Sequence, residues 1–262
     1  MERMVEDARS LLASREFAEE TGLVYVGTPG SRNSTTNSGM DDGEVNDVDN
    51  SIVGALLQAA VSSLRMESAE DAVLLLASSE RIAEDIQLEL DASETWGMNI
   101  ICRQFEPHMK AHLEFRGFVY ETTLTALSQY NHVVHYPALV ADAEMYRSLI
   151  WDFYNQHVKQ HIKPFGNVVI DFCVIIDYDA PDPVRVIVIE LNPYREYEGN
   201  GTDACLFDWN DDRAILEPQS PPASADDMAF RIRQSPIPSV ASTLSGDASH
   251  LVTFLRQEIL GQ

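Results

Sequence analysis

The sequence predicts an α/β protein of the α+β kind, with a mixed or antiparallel sheet and flanking helices. Three observations predict it. Val168–Ile176 and Val184–Leu191 are rich in β-branched residues and flank the turn-forming segment Asp177–Pro183, the pattern of a β-hairpin with a longer loop. Leu113–Tyr120 and Thr123–Gln129 read as a second hairpin, turning at Glu121–Thr122. Between the hairpins, Asp142–Ile162 carries Met145, Leu149, Ile150, Phe153, Tyr154 and Val158 on one helical face. At 1.5 Å per residue that helix is about 30 Å long, and Pro164 stops it.

The remaining elements follow from local signals. Glu2–Thr21 has apolar residues near helical spacing and ends before Gly22. Leu23–Val26 reads as a short strand. Gly27–Asn50, rich in Gly, Ser, Asn and Asp, reads as a flexible acidic loop, so residues 1–50 form an N-terminal extension and 51–262 the main domain. Its acids fit no register of a helix–loop–helix calcium site. Ser51–Arg65 and Ser68–Leu88 read as helices, the second opened by a Ser68/Asp71 capping box. Asn99–Phe105 reads as a strand. A last helix lies near Ser249–Leu260.

Composition bounds the function. The net charge is −24 over 262 residues, and only Lys110, Lys159 and Lys163 are lysines. Such a field repels nucleic acid and anionic membranes and favours a basic protein partner. No apolar run reaches the ~18 residues of a spanning helix. Cys102, Cys173 and Cys205 have no metal-ligand spacing. An odd cysteine count without a signal peptide predicts a reducing, cytoplasmic location. His157 and His161 stand four apart on a helix, but HVKQH lacks the glutamate of a zinc protease, so a solvated face is expected.

The second hairpin carries acid where a buried strand should have none. Asp171 sits inside VVIDFCVII, and Glu190 and Asn192, two residues apart, leave one face of the next strand. Paired carboxylates in an apolar sheet repel unless a cation sits between them, and oxygen ligands of this kind suit magnesium. Arg103 and Arg116 are charges inside strand-like runs. A semi-buried arginine must find a carboxylate or a phosphate, and Glu114 is the nearest structural partner for Arg116.

Taken in order, ICRQF, EFRGFV, LSQY, VVIDFCV, VIELNPY and TDACLFDW resemble the motifs of the cell division cycle protein 123 family, over roughly Ser63 to Phe254. The resemblance implies an ATP-grasp-like fold and binding of ATP with magnesium. It also implies service as an assembly chaperone for eukaryotic translation initiation factor 2, through that factor's γ subunit, by binding and not turnover. By position it implies that Asp171, Glu190 and Asn192 hold magnesium. It further implies that Arg116 meets phosphate and that Arg103, Gln104 and Phe105 form the adenine hinge. The family usually has Asp at the position of Glu190. Its early-strand lysine, which touches the phosphates, has no counterpart before Lys110, so the N-terminal lobe is diverged or reduced. Tyr197–Asn200 lengthens the loop before Thr202 and Asp203. Two alternatives stay open: a carboxylate–amine ligase using the same residues, and a degenerate scaffold that no longer binds nucleotide.

Overall fold

The computed structural model describes residues 2–25, 42–92, 99–194, 205–244 and 247–260. They divide into two compact units, Met1–Val61 with His108–Gln262, and Ser62–Pro107.

The larger unit is built on a five-stranded sheet of order β4-β3-β1-β2-β5. β1 (Glu114–Tyr120) and β2 (Thr123–Gln129) form the first predicted hairpin. β3 (Val168–Ile176) and β4 (Val184–Pro193) form the second. β1 also pairs antiparallel with β3, which joins the hairpins into one sheet. β5 (Ala229–Arg231) runs parallel to β2. The sheet is therefore mixed, and the fold is α+β.

One sheet face is apolar and packs on helices. Phe115, Ile170 and Phe172 lie in the main core with Tyr146, Ile150 and Tyr154. Phe172 meets Phe153 edge-on with ring centroids 6.4 Å apart. Gly117 makes room for this packing, because a Cβ there would lie 2.7 Å from the Phe172 ring. On the other face Phe118, Ala126 and Val169 pack with Cys205, Phe207, Trp209 and Leu216.

The N-terminal helices belong to the same core. α1 (Glu2–Leu12) and α2 (Arg15–Thr21) replace the single predicted helix, because Ser14 accepts the Phe17 N–H and restarts the chain as an N-cap. α2 ends at Gly22, whose φ of 71° is the left-handed cap that glycine takes most readily. Residues 22–25 form no strand. α3 (Asp42–Ser63) begins nine residues before the expected Ser51 and runs across the boundary expected at residue 50. The end of the supposed loop is thus helix, with Val48, Asp49 and Asn50 buried. Arg256 pairs with Asp49, and Asn50 caps two backbone groups of His135. These tertiary partners are what a composition count misses. The rest of the predicted loop, 26–41, lies outside the described residues.

The smaller unit holds α4 (Ala69–Ser78) and α5 (Glu80–Ala92), two helices where one was expected. The Ser68/Asp71 capping box is present in full. Asn99–Phe105 is not a strand. Ile100 and Ile101 have the propensity but no ladder partner, and both are exposed.

The long predicted helix forms as α7 (Ala143–Phe153), a π turn (Tyr154–Val158) and α8 (Lys159–Ile162), preceded by the short α6 (Pro137–Ala141). His157 and His161 are exposed, as a solvated face requires. α9 (Arg213–Leu216) and α10 (Asp247–Leu260) follow the sheet. Among the described residues no helix is long and apolar enough to cross a membrane.

Candidate functional site

Register places the predicted residues. Arg116 on β1 pairs with Asp171 on β3, and Asp171 pairs with Glu190 on β4. In the other direction Arg116 pairs with Ser128 on β2, and Ser128 with Arg231 on β5. Paired residues share a face, so one polar row crosses all five strands on the face opposite the main helices.

Two bulges align this row. In β2, Thr125 is the extra residue between Phe118↔Ala126 and Val119↔Leu124. Its hydroxyl is shared between the Phe118 and Leu216 carbonyls. In β4, Ile189 is the extra residue between Asp171↔Glu190 and Phe172↔Val188. A bulge turns the following side chains to the opposite face, a device common beside functional sites.

The centre of the row is an ion pair. Arg116 Nε and Nη2 donate to Asp171 Oδ1 and Oδ2 at 2.8 and 2.7 Å. Asp171 is 2% exposed and Arg116 6%. The guanidinium also lies over the Tyr130 ring, 4.9 Å from its centroid. Burial pushes the Asp171 carboxyl up, and the Arg116 hydrogen bonds pull against that shift. The fork geometry needs the carboxylate form, so we take Asp171 as ionised. The sequence offered Glu114 as the partner of Arg116, but the register gives it Asp171. Glu114 is buried instead, and its carboxyl is raised to about 8 by burial first and then by Asp171 and Glu190. It therefore holds a proton at neutral pH.

Asp171, Glu190 and Asn192 come together as the spacing predicted. Asn192 Nδ2 donates to Asp171 Oδ2 at 2.9 Å and to Glu190 Oε1 at 3.1 Å. A partly positive amide group thus occupies the point where the two carboxylates converge. That is where a cation would bind, and turning the amide over presents Oδ1 as a third oxygen. The donor set fits a hard divalent cation such as magnesium. Among the described residues no three His, Cys, Asp or Glu side chains converge on one metal position, so the amide is needed to complete the set.

A second ion pair closes the far end of the row. Arg231 donates to Asp212 at 2.6 and 2.7 Å and to the Leu206 carbonyl at 2.9 Å. The Leu206 N–H donates to Ser128 Oγ at 2.8 Å. These bonds hold the CLFDW segment over the sheet. Ser128, Tyr130, Asp212 and Arg231 had not been singled out from the sequence. Only the LSQY and CLFDW motifs pointed to their neighbourhood.

Arg103, Gln104 and Phe105 lie in the smaller unit, on irregular backbone with Arg103 and Gln104 exposed. Tyr197–Asn200, Thr202 and Asp203 lie outside the described residues. A cavity of about 460 Å³ lined by Thr125, Ile215, Pro218, Pro221 and Ala229 includes none of Arg116, Asp171, Glu190 or Asn192.

Comparison with known proteins agrees with the resemblance read from the motifs. The chain is 26% identical over 179 residues to a protein of Vanderwaltozyma polyspora described as a translation initiation factor eIF2 assembly protein, covering 65% of this chain and 45% of the relative. A Danio rerio protein of the same description is 26% identical over 187 residues, with coverage of 67% and 50%. The chain thus spans about half the length of the curated relatives it matches. Among solved structures, C-terminally truncated Cdc123 from Schizosaccharomyces pombe is 25% identical, with a TM-score of 0.48 over 65% of this chain and 63% of that one. Cdc123 from the same organism is 20% identical, with a TM-score of 0.47 over 90% and 88%. The D123 family matches residues 55–250, well over half of the sequence, and the chain belongs to that family.

Proposed function

We propose that this chain binds ATP with magnesium and assists assembly of eukaryotic translation initiation factor 2 by binding its γ subunit. The observation that carries the nucleotide part is the convergence of Asp171 Oδ2 and Glu190 Oε1 on the Asn192 amide at the end of a rigid hairpin. On this reading Asp171, Glu190 and Asn192 hold the metal. A bound magnesium ion supplies charge neutralisation for the phosphates. Arg116 stands beside the metal position, and a guanidinium fork suits phosphate as well as carboxylate. Arg103, Gln104 and Phe105 keep the adenine-hinge role that the family resemblance gives them.

The partner part rests on the relatives described as eIF2 assembly proteins and on charge. At −24 the chain attracts a basic protein surface and repels RNA. On this reading the chain acts by binding, without turnover. A second reading, a scaffold that has lost its nucleotide, is favoured by one observation: Arg116 already satisfies both oxygens of Asp171.

Immobilised chain and purified γ subunit test the partner. The expected result is retention at physiological salt, weakened by added salt and not competed by RNA. Absence of retention contradicts the proposal.

A further inference from the structure

The cleft of about 460 Å³ lies beside β2 and β5, and every residue that lines it belongs to the larger unit. Its volume is within the about 300–1,000 Å³ of ordinary ligand clefts. Ile215, Ala229 and the rings of Pro218, Pro221 and Pro222 give it an apolar wall. Proline fixes φ and has no N–H to satisfy, so this wall holds its shape before anything binds. Turns at both ends support the segment. The Glu217 N–H donates to the Arg213 carbonyl at 2.7 Å, and the Met228 N–H to the Ala225 carbonyl at 3.2 Å. Thr125 adds no free hydroxyl, because its own is committed to the Phe118 and Leu216 carbonyls.

One charge lines the cleft. Asp227 Oδ2 accepts from the Ser224 N–H and hydroxyl at 3.1 and 2.8 Å, and among the described residues Oδ1 has no partner. No lysine or arginine lines the cleft. The chain that leads to it, Asp208–Asp227, holds six carboxylates and one arginine. Asp212, Glu217 and Asp226 pair with Arg231, Arg213 and Arg147. Asp227 pairs with no cation among the described residues. An apolar ligand would cover this carboxylate and leave it unpaired, and an anion would be repelled. An aliphatic stem with a cationic head fits both the wall and the charge.

We infer that this cleft takes an arginine or lysine side chain of the assembly client, its stem against the proline wall and its head on Asp227. A charged hydrogen bond enclosed by apolar walls is stronger than one at an open surface. The net charge of −24 draws a basic segment toward the chain, and Asp227 then fixes where one side chain enters. The inference rests on the assembly reading above, which by itself assigns no surface to the contact.

The test titrates the purified γ subunit of eIF2 into the full chain and into its Asp227→Asn and Ala223→Trp variants. Ala223 lines the cleft and is exposed, so tryptophan there fills the cleft from its rim. Asp227 is exposed too, and asparagine keeps an oxygen for Ser224. An unchanged thermal midpoint checks that both variants fold. The parent should bind. Asp227→Asn should bind about tenfold more weakly, with a flatter salt dependence. Ala223→Trp should lose at least as much. If the parent binds and both variants match it, the client docks elsewhere and this inference fails while the assembly reading stands. If only Ala223→Trp weakens binding, the occupant is not cationic. If only Asp227→Asn does, the client meets the carboxylate without entering the cleft. Either result overturns the assignment. If the parent does not bind, the assembly reading fails and takes the inference with it.

Discussion

Arg116 and Asp171 face each other on adjacent strands and share two hydrogen bonds of 2.8 and 2.7 Å in the buried middle of the sheet. A buried pair contributes little net stability, but removing one partner strands the other's charge. Arg116→Leu should therefore cost about 3–5 kcal/mol. The double variant Arg116→Leu/Asp171→Leu should recover most of that loss. Urea unfolding of the parent, both single variants and the double variant measures the coupling. Additive losses would show that the two residues act independently.

The tight turn between β1 and β2 holds two non-glycine residues at positive φ, Glu121 at 49° and Thr122 at 61°. That is the turn type matching strand twist, and it ordinarily takes Asn-Gly. A β-branched residue is strained there. The turn is held by Asn167 Oδ1 accepting from Glu121 N–H, by Gly166 O accepting from Thr122 N–H, and by Tyr154 donating to the Thr122 carbonyl. Thr122→Gly keeps all three bonds and should raise stability by about 1 kcal/mol, read as a higher urea midpoint at unchanged slope. A lower midpoint contradicts the strain argument.

His112 is buried against Tyr136, with ring centroids 5.5 Å apart, and burial first, then Lys110, lowers its pKa from 6.5 to about 3. The folded state keeps it neutral where the unfolded chain takes a proton. Its contribution to stability is therefore full above pH 6.5 and is lost as pH falls toward 3. The slope is about 1.4 kcal/mol per pH unit for one proton. Glu114 has the opposite sign: its raised pKa gives stability that is full below about 4.5 and is lost as pH rises through about 8. The two offset each other between about 4.5 and 6.5. His112→Phe keeps the ring contact and isolates one of them. Between pH 7.5 and 5.5 its midpoint should gain on the parent's. Parallel midpoints across that range contradict the assignment.

Both hairpins were legible in the sequence, because β-branched runs and turn residues are local signals. The Ser68/Asp71 cap and the stop at Gly22 were legible for the same reason. The polar row was legible only in part. Counting back from Ile176↔Val184 without a bulge pairs Asp171 with Ile189, and counting back from Tyr120↔Thr123 pairs Arg116 with Leu127. Each bulge shifts the count by one and puts Glu190 and Ser128 in the row. A bulge leaves no periodic trace in sequence, so the reach through Ser128 to Arg231 was not foreseen; the Arg116–Asp171 fork was missed because β1 and β3 pair across a long connection whose register no local signal sets. β5 escaped because three residues show no alternation. The start of α3 escaped because its acidic first turns read as loop, while Asp49 and Asn50 find partners far along the chain.

Asp171, Glu190 and Asn192 are the proposed magnesium nucleotide site. Glu190→Gln tests it most directly, because Glu190 is exposed and its loss leaves the Arg116–Asp171 pair intact. Isothermal titration calorimetry with ATP, with and without magnesium, is run on the full chain and on Glu190→Gln. The parent should show metal-dependent binding and the variant a weakening of about tenfold or more, with ATP alone unaffected. A parent that gives no metal-dependent heat, or a variant that binds as the parent does, contradicts that assignment.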